Sequence, residues 1–534
     1  VYKVYLDAYT QINGASGTSY PDVNRLINKY VTEGALMINY TGHGGETGWT
    51  GEKVLQISDI QKWTNLYNLP IFITASCEFS RYDDPDRISA GEYILINEKG
   101  GGIALYTTSR LAFSNTNFGL NKSMCKFAFE NENGHYHRLG DIIRLSKIEN
   151  GSIPNNRNFI LLGDPALKLS IPENSVKTTH INGQPESSAT DTLKALNKIT
   201  INGIITNYDG GKLSNFNGKI YPTVYDKKYT TTTLSNDQTF PPFIFKQQEN
   251  ILYKGVAKVT NGDFSFSFIL PKDMNKDFGE GKISYYAKDS ITDASGYYEN
   301  TNFIIGGIDS LALTDNMGPS INLFLNNTQF SSGGTTDGNP ILLAFLSDSS
   351  GINHTGIGYG HNISLVIDEN TENSIILDNY YMPDADTYQS GILAYPLSEL
   401  AEGPHTISLK AWDIYNNAST STIDFFVTTP SNLKINYVSN YPNPLNDITY
   451  FNFKHNQPCC DLNIEINIYS MNGSLVKTIS ENVETIDSDI TPIAWNGCND
   501  KGIRLSNGAY IYRVRVRTLE GTYLESSNKL IIIK

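Results

Sequence analysis

The sequence predicts a multidomain protein that begins with an α/β parallel-sheet domain and continues with three all-β sandwich domains. Up to about residue 172, short apolar runs alternate with amphipathic helical segments, the pattern of a parallel sheet with crossover helices. Beyond that point Ser, Thr, Asn and Gly become common and apolar residues alternate at period two, which is typical of antiparallel strands. The length of 534 residues is also too great for one hydrophobic core.

Two apolar runs in the first domain, residues 1–172, have the character of buried parallel strands. The first extends from Ala35 to Gly45 and carries His43, and the second extends from Leu69 to Glu78 and carries Cys77. Each is bounded by Gly or Pro, and a helical segment separates them, as in a sheet that is covered on both faces. Because open α/β sheets keep their sites at the carboxyl ends of the strands, we expect both side chains to face one cleft.

Capping and spacing signals predict the other elements of this domain. Apolar residues at helical spacing follow Pro21, and Gly34 ends that helix. Capping boxes at 58–61 and 89–92 open the next two helices, the first through Leu66 and the second to Gly100. The remaining predicted elements are strands at 1–9, 102–108 and 159–162 and helices at 117–130 and 139–147.

His43 and Cys77 are the candidate catalytic pair. A thiol becomes a good nucleophile at neutral pH when a base removes its proton, and an imidazole on the neighbouring strand end is suited to that role. The glycines beside His43 let a substrate approach the backbone, and the amides of Gly44 and Cys77 are predicted to stabilise an oxyanion. A core cysteine beside a structural histidine is the alternative, since free Cys is among the most buried residue types.

Three motifs carry a resemblance to one peptidase family. Residues 39–45 (NYTGHGG), 74–81 (TASCEFSR) and 163–167 (GDPAL) resemble the gingipain-type cysteine peptidases of the caspase-like fold. The resemblance covers roughly residues 1–172, and within the family it is greatest to the type IX secretion sortases, which are C-terminal signal peptidases. It implies that Cys77 and His43 form a catalytic dyad that cleaves C-terminal sorting domains from secreted proteins.

The same resemblance implies partners and a location. Such a sortase lies on the outer face of the outer membrane, docks on an outer-membrane β-barrel partner, PorV in the family, and can transfer its acyl group to an amine of anionic lipopolysaccharide. No apolar run reaches the roughly 18 residues of a membrane-spanning helix, so we expect attachment through a partner. Val1 begins inside a strand-like run without an initiator Met, so we expect an N-terminally truncated peptidase domain and further upstream sequence.

Asp7, Glu78 and Arg81 complete the predicted site. Family members often orient the histidine with an upstream acid, and Asp7 is the one carboxylate in a plausible position before His43. A backbone carbonyl, or a residue upstream of this sequence, is the alternative orienting group. Glu78 and Arg81 begin the charged loop after Cys77, where we expect contacts with substrate, although a purely solvated loop fits the pattern equally well. Asp164 is interpreted as a turn former.

The all-β part is divided into domains at 173–312, 313–430 and 431–534. Asn261-Gly262 between alternating runs predicts a hairpin. An Ala-x-Asp motif at 287–289 and again at 411–413 suggests two related immunoglobulin-like sandwiches. Structural calcium at a domain junction is possible through the acidic residues, with ordinary turn acids as the alternative, and no other cofactor is predicted. The candidate calcium ligands are Asp348, Asp368 and Asp413.

The last domain is similar in motif order to the C-terminal sorting domains of the type IX secretion system. It opens with Tyr-Pro-Asn-Pro at 441–444 and ends in tight Gly turns. In an oxidising compartment one pair among Cys459, Cys460 and Cys498 could form a disulfide, and the sequence does not say which.

Composition narrows the function classes. The net charge of −14 argues against nucleic-acid binding, which needs a basic surface. Arg513, Arg515 and Arg517 share one strand face, which we interpret as an exposed polar face. Besides the sortase, two functions stay open: a secreted gingipain-like protease that is itself cargo, and a catalytically silent surface scaffold or adhesin.

Overall fold

The computed structural model describes residues 1–15, 17–188, 192–427, 435–455, 461–484, 490–518 and 523–533. The chain forms two compact units. The first consists of 1–174, 207–209 and 228–248, and the second consists of 175–206, 210–227 and 249–534. The segment 228–248 lies in the predicted second domain by sequence, yet it packs with the first unit.

The elements of the first unit up to residue 162 alternate between helices and short strands. The strands are β1 Ile12–Gly14, β2 Gly17–Ser19, β3 Met37–Thr41, β4 Gly44–Gly45, β5 Gly48–Trp49, β6 Leu55–Gln56, β7 Ile71–Ala75, β8 Ala104–Thr108, β9 Asn131–Glu132, β10 His135–Tyr136 and β11 Phe159–Leu162. The helices are α1 Pro21–Glu33, α2 Ile57–Ile60, α3 Ala90–Ile96, α4 Ser114–Phe129, α5 Leu139–Glu149 and α6 Asn155–Asn158, with a 3₁₀ turn at Leu6–Ala8.

A four-stranded sheet in the order β11-β8-β7-β3 forms the centre of this unit. Strands β3, β7 and β8 are parallel, and β11 runs antiparallel to β8. The two predicted strands therefore pair with each other directly, as the sequence indicated.

Helices cover both faces of that sheet. Phe72 packs in one cluster with Val31 of α1 and Ile94 of α3. Ile73 belongs to the opposite cluster, which contains Met124 of α4 and Ile142 of α5. Because successive side chains of a strand alternate between faces, a strand covered on both sides needs apolar residues on both; all five residues of β7 are buried, and only Thr74 is polar.

Three local predictions are wrong. Residues 1–9 form no strand; they contain the 3₁₀ turn at Leu6–Ala8. Helix α2 is capped by Gln56, whose backbone N–H donates to Asp59 at 3.0 Å, so the capping box lies two residues before the predicted one and the helix ends at Ile60. Helix α3 has the predicted Ser89 cap but ends at Ile96 instead of Gly100.

The remainder of the chain is almost entirely β-structure. Strands β12 to β25 are β12 Asn174–Ile181, β13 Gln184–Pro185, β14 Leu193–Ala195, β15 Lys198–Thr206, β16 Gly218–Tyr225, β17 Tyr229–Thr232, β18 Ile244–Gln247, β19 Ile251–Lys254, β20 Ala257–Thr260, β21 Asp263–Ile269, β22 Gly279–Glu280, β23 Lys282–Lys288, β24 Asp293–Tyr298 and β25 Ile304–Ile308. Strands β17 and β18 form the hairpin that packs with the first unit.

Strands β26 to β42 complete the second unit. They are β26 Ser320–Leu325, β27 Gly334–Thr336, β28 Ile341–Ser347, β29 Ile352–Asn353, β30 Ser364–Ile367, β31 Ile375–Ile376, β32 Tyr381–Pro383, β33 Ser390–Pro396, β34 Gly403–Asp413, β35 Ala418–Val427, β36 Ile435–Tyr441, β37 Thr449–His455, β38 Asp461–Ser470, β39 Leu475–Glu484, β40 Ile493–Trp495, β41 Gly508–Thr518 and β42 Tyr523–Ile532, with 3₁₀ turns at Thr371–Asn373 and Asp378–Tyr380.

The first β-region differs from a simple two-sheet sandwich. Its main sheet has nine strands, and β24 pairs with β12 as well as with β23, so the sheet closes on itself. Closure removes exposed strand edges and encloses the aromatic core that Phe264, Phe266 and Phe268 fill. The predicted hairpin is present between β20 and β21, where Asn261 and Gly262 both have positive φ.

The two later regions each contain two sheets around a shared core. One pairs the sheet β26-β28-β33-β32 with the sheet β27-β35-β34-β30-β31. The other pairs β36-β37-β40 with β39-β38-β41-β42. Among the described residues, no helix is both long and apolar enough to cross a membrane. Cys498 has a free thiol, whereas Cys459 and Cys460 lie outside the described residues, so the disulfide stays a prediction.

Candidate active site

The register of β3 and β7 aligns the two predicted catalytic residues. Thr41 lies opposite Ala75 at the ends of these parallel strands, and His43 and Cys77 each follow two residues later. The alignment continues past the strands, because the Gly42 N–H donates to the Ala75 carbonyl at 3.3 Å. The structure therefore brings His43 and Cys77 to the same level at adjacent strand ends, at the edge where parallel sheets keep their sites.

The backbone of His43 is held firmly. Its carbonyl accepts hydrogen bonds from the Tyr40 hydroxyl at 2.6 Å and from the Thr50 N–H at 3.0 Å. The Tyr40 ring in turn stacks on buried Trp49, with centroids 4.2 Å apart. The His43 side chain is exposed, and none of the described residues makes a hydrogen bond to its imidazole. The ring is thus carried by a fixed backbone and is open to a substrate.

Cys77 is half-buried and lies outside the hydrophobic core. Its Sγ is 3.4 Å from the backbone nitrogen of Ala112 and 3.6 Å from the carbonyl oxygen of the same residue, in the loop after β8. The next residue, Glu78, has a φ of 51° and donates its N–H to the Arg110 carbonyl at 3.3 Å. The chain therefore turns sharply just after the thiol, which leaves the Sγ at the sheet edge.

The backbone amides that were predicted to bind an oxyanion are available. His43 and Thr50 are hydrogen-bonded partners, so in the antiparallel pairing of β4 with β5 the N–H of Gly44 points away from β5. Within the described part of the chain, no hydrogen bond engages the N–H of Cys77. The loop that carries His43 packs closely against the end of β7, since a Cβ on Gly44 would lie 2.9 Å from the side chain of Ser76, the residue after that strand.

The structure does not support Asp7 as the acid that orients His43. One carboxylate oxygen accepts the Ser235 N–H at 2.8 Å, and the other accepts the N–H and the Nδ2 of Asn236 at 2.8 and 3.0 Å. Burial alone would raise the pKa of Asp7, but these donors outweigh it and lower the pKa. Asp7 fixes the 228–248 segment to the start of the chain, a role that the sequence does not reveal.

Arg81 points back to the loop that carries His43. Its Nη1 lies 2.8 Å from Oε1 of Glu46, which occupies the tip of the β4–β5 hairpin. Nη1 of Arg87 lies 3.2 Å from the other carboxylate oxygen. The Glu46 side chain is only 13% exposed. Glu46 is not among the residues predicted from the sequence. The signal that points to it is a lone acid in the glycine-rich run after His43, with arginines following Cys77.

Two of the three predicted calcium ligands lie together. Carboxylate oxygens of Asp348 and Asp413 lie within 4.8 Å of each other and of Asp315. Burial raises the pKa of Asp348 to about 6, and the charges of the other two carboxylates add to this effect. Calcium binding stays a prediction.

The third predicted ligand, Asp368, is engaged elsewhere, since its carboxylate lies 2.7 Å from Nδ1 of His405. A second group that could hold a metal ion consists of Glu130, Glu132 and His137. It lies in the connection between α4 and α5.

Comparisons with known proteins identify two parts of the chain. Residues 1–170 match the sequence model described as Peptidase family C25, and residues 439–532 match that of the secretion system C-terminal sorting domain. No curated protein matches the chain.

Solved structures from Porphyromonas gingivalis show similarity over larger parts of the chain. Dimeric latent PorU is 31% identical over 76% of this chain and 39% of its own, with a TM-score of 0.35. The complex of the pro- and mature domains of RgpB is 16% identical over 51% of this chain and 57% of its own, with a TM-score of 0.26. The chain thus spans 39% of the length of the PorU chain.

Proposed function

Because residues 1–170 form a peptidase family C25 domain and residues 439–532 a secretion system C-terminal sorting domain, we propose that the protein is a cell-surface cysteine endopeptidase that removes sorting domains from type IX secretion cargo. The supporting observation is the matched position of Cys77 and His43 at adjacent strand ends. The three motifs that resemble the type IX sortases, PorU in particular, favour this substrate over a general protein substrate.

The first half of the proposed reaction forms an acyl-enzyme. His43 takes the proton of the Cys77 thiol, and the Sγ attacks the scissile carbonyl to form a C–S bond. The negative charge that develops on the carbonyl oxygen is stabilised by the N–H groups of Gly44 and Cys77. The His43 imidazolium then gives its proton to the leaving amine as the C–N bond breaks, which releases the sorting domain and leaves a thioester.

The second half transfers the acyl group to an acceptor. His43 deprotonates either water, which hydrolyses the thioester, or an amine, which forms a new amide and makes the enzyme a transpeptidase. The resemblance suggests an amine of anionic lipopolysaccharide, which would attach the cargo to the outer face of the outer membrane. Either acceptor restores the Cys77 thiol.

Substitution of the two residues tests the proposal. Cys77→Ala removes the atom that forms the thioester and should abolish removal of sorting domains. His43→Ala leaves a weakly ionised thiol and should reduce the rate by roughly 10²- to 10⁴-fold, the usual contribution of general acid–base catalysis. Cargo size and surface retention are followed in cells that lack the wild-type gene. A Cys77→Ala variant that folds normally and still converts cargo at the wild-type rate would refute the assignment.

Attachment through the terminal domain is a separate part of the proposal. We expect this domain to stay on the mature protein and to dock on an outer-membrane partner such as PorV. Deletion of residues 431–534 should then release the peptidase from membrane fractions, and continued membrane association would show that docking lies elsewhere.

The sorting-domain match at residues 439–532 also favours a second function, that of a secreted gingipain-like protease which is itself cargo. The two functions differ in the fate of this domain. The intact mass of the mature surface protein distinguishes them, because a cargo protease would lack the domain. Labelling with a thiol-reactive peptide analogue distinguishes both enzymes from a silent scaffold or adhesin, which would not react at Cys77.

A further inference from the structure

The loops that carry His43 and Cys77 are joined by a bridge of charged side chains, which we call the Glu46 bridge. It consists of Glu46, Arg81 and Arg87, with Arg81 Nη1 at 2.8 Å and Arg87 Nη1 at 3.2 Å from the two carboxylate oxygens. Glu46 stands three residues after His43, and Arg81 stands four residues after Cys77. The bridge therefore connects the segment that carries His43 to the segment that carries Cys77, only a few residues from each of the two.

A backbone bond reinforces the same connection. The carbonyl of Glu46 accepts the N–H of Ala90, the first residue of α3, at 2.7 Å. Arg87 also lies 3.7 Å from Asp84, so the second arginine is held from both sides. With its side chain 13% exposed, Glu46 is far less accessible than Arg81 at 39% or Arg87 at 62%. The shielded carboxylate accepts a charge-assisted hydrogen bond from Arg81 and forms an ion pair with Arg87, so both arginines are held by one largely buried acid.

The need for such a bridge follows from the way the two residues are held. The His43 imidazole has no hydrogen-bond partner among the described residues, so its position depends on the hairpin that carries it. The hairpin is short: β4 and β5 have two residues each. Cys77 is fixed separately, through Ala112. The Gly42–Ala75 hydrogen bond and the close packing of Gly44 on Ser76 join the segments at the base of the hairpin, and the Glu46 bridge adds a connection at its tip.

We propose that Glu46 is a positioning residue, whose carboxylate bridges Arg81 and Arg87 and thereby sets the separation of His43 from Cys77. This inference rests on the proposed function of those two residues as a catalytic pair. Glu46 does not touch the reacting atoms. It acts by keeping the imidazole within proton-transfer distance of the thiol, where misplacement by about 1 Å can cost 10²-fold in rate.

Alkylation of Cys77 by iodoacetamide tests the inference without a peptide substrate. The rate is measured as a function of pH for the full chain by peptide mass mapping, with Cys125 of the same molecule as the internal reference. In His43→Ala, the profile shows the thiol without its base. In Glu46→Gln, which keeps the shape of the side chain but loses its charge, we expect the Cys77 profile to move at least halfway to that of His43→Ala, while Cys125 is unchanged.

Glu149→Gln is the matched control. Glu149 pairs with Lys126 at 2.6 Å in the same unit, away from both loops, so its loss should leave the Cys77 profile as in the wild type. Arg87→Gln removes the more exposed end of the bridge, is expected to fold normally and should shift the profile in the same direction by a smaller amount. In turnover of cargo, Glu46→Gln should lower kcat by about tenfold and change KM less than about twofold, since positioning affects the chemical step.

The outcomes separate this inference from the proposed function. If Glu46→Gln and Arg87→Gln both retain the wild-type Cys77 profile, Glu46 does not position the pair, even when Cys77→Ala is inactive. If the wild-type and His43→Ala profiles coincide, the pair is not coupled and the inference is also refuted. If the bridge variants shift the profile but Cys77→Ala still removes sorting domains, the positioning role stands and the proposed substrate reaction fails.

Discussion

Adding one methyl group at Gly44 should disrupt the proposed site without removing any functional atom. A Cβ at this position would lie 2.9 Å from both Cβ and Oγ of Ser76, the residue before Cys77, and 3.4 Å from the Gly48 carbonyl oxygen. Carbon atoms in contact are normally about 3.5–4.0 Å apart, so the two loops must separate by roughly 0.6 to 1 Å. Gly44→Ala should therefore move His43 away from Cys77.

The size of the effect follows from that displacement. Overpacking of this kind costs about 1–3 kcal/mol of stability, and a misplacement of up to about 1 Å costs up to 10²-fold in the chemical step. We therefore expect Gly44→Ala to fold and to lose roughly 10- to 100-fold in kcat. Gly45→Ala is the control, because a Cβ there meets nothing within 4 Å and should leave kcat nearly unchanged.

A second substitution tests the steric explanation itself. In Gly44→Ala with Ser76→Gly, the two atoms closest to the new methyl group are gone, and among the described residues the Ser76 hydroxyl has no hydrogen-bond partner to lose. The double variant should recover a large part of the lost kcat in assays of cargo cleavage. If Gly44→Ala and Gly45→Ala have equal rates, or if the double variant recovers nothing, the close packing of the two loops is not what holds the pair in position.

Two further predictions concern residues outside the pair. Asp7→Asn should lower the free energy of unfolding by about 1–3 kcal/mol, because an ionised acceptor of several hydrogen bonds is lost. The rate of cargo cleavage should change less than about twofold. A loss of cleavage rate near that of His43→Ala would reinstate Asp7 as the orienting acid. Burial lowers the pKa of His354 to about 4, so the unfolded state takes up a proton first as the pH falls below about 6.5 and the folded state loses stability. Between about pH 7 and pH 5 the free energy of unfolding should fall by about 2 kcal/mol from this residue. His354→Gln should not show that loss when unfolding by urea is measured at both pH values. Parallel curves of stability against pH for the wild type and the variant would contradict the prediction. The comparison must be between these two proteins, because carboxyl groups whose pKa is raised, such as Asp348, stabilise the folded state as the pH falls over the same range.

The central strands could be predicted because a strand that is buried on both faces requires a run of apolar residues, which is visible in the sequence. Every residue of Ile71–Ala75 is buried on one face or the other, and a nearly continuous apolar run bounded by Pro, interrupted here only by Thr74, is what such a strand requires. The same holds for His43 and Cys77, since their positions follow from the ends of two paired strands. Once β3 and β7 are assigned as parallel neighbours, no long-range information is needed to bring the two residues together.

The elements that were missed depend on contacts between distant segments. Asp7 was assigned to His43, but its carboxylate accepts from Ser235 and Asn236, more than two hundred positions along the chain. The cap of α2 involves Asp59, which accepts from Gln56 and also from the Nδ2 of Asn24 in α1 at 3.0 Å. Ser58 is by itself a stronger N-cap signal than Gln56, so the contact of Asp59 with α1 overrides the local preference.

The way in which His43 is held bears on how the proposed site works. Its carbonyl accepts from both Tyr40 and Thr50, so the backbone is fixed from two directions, while the described residues leave the imidazole without a hydrogen bond. A histidine that must accept a proton from Cys77 and then deliver it to a leaving amine has to serve two positions in one cycle. Rigid backbone support combined with a ring that can rotate meets both needs, because side-chain rotation can carry the proton while the separation between the two loops stays constant.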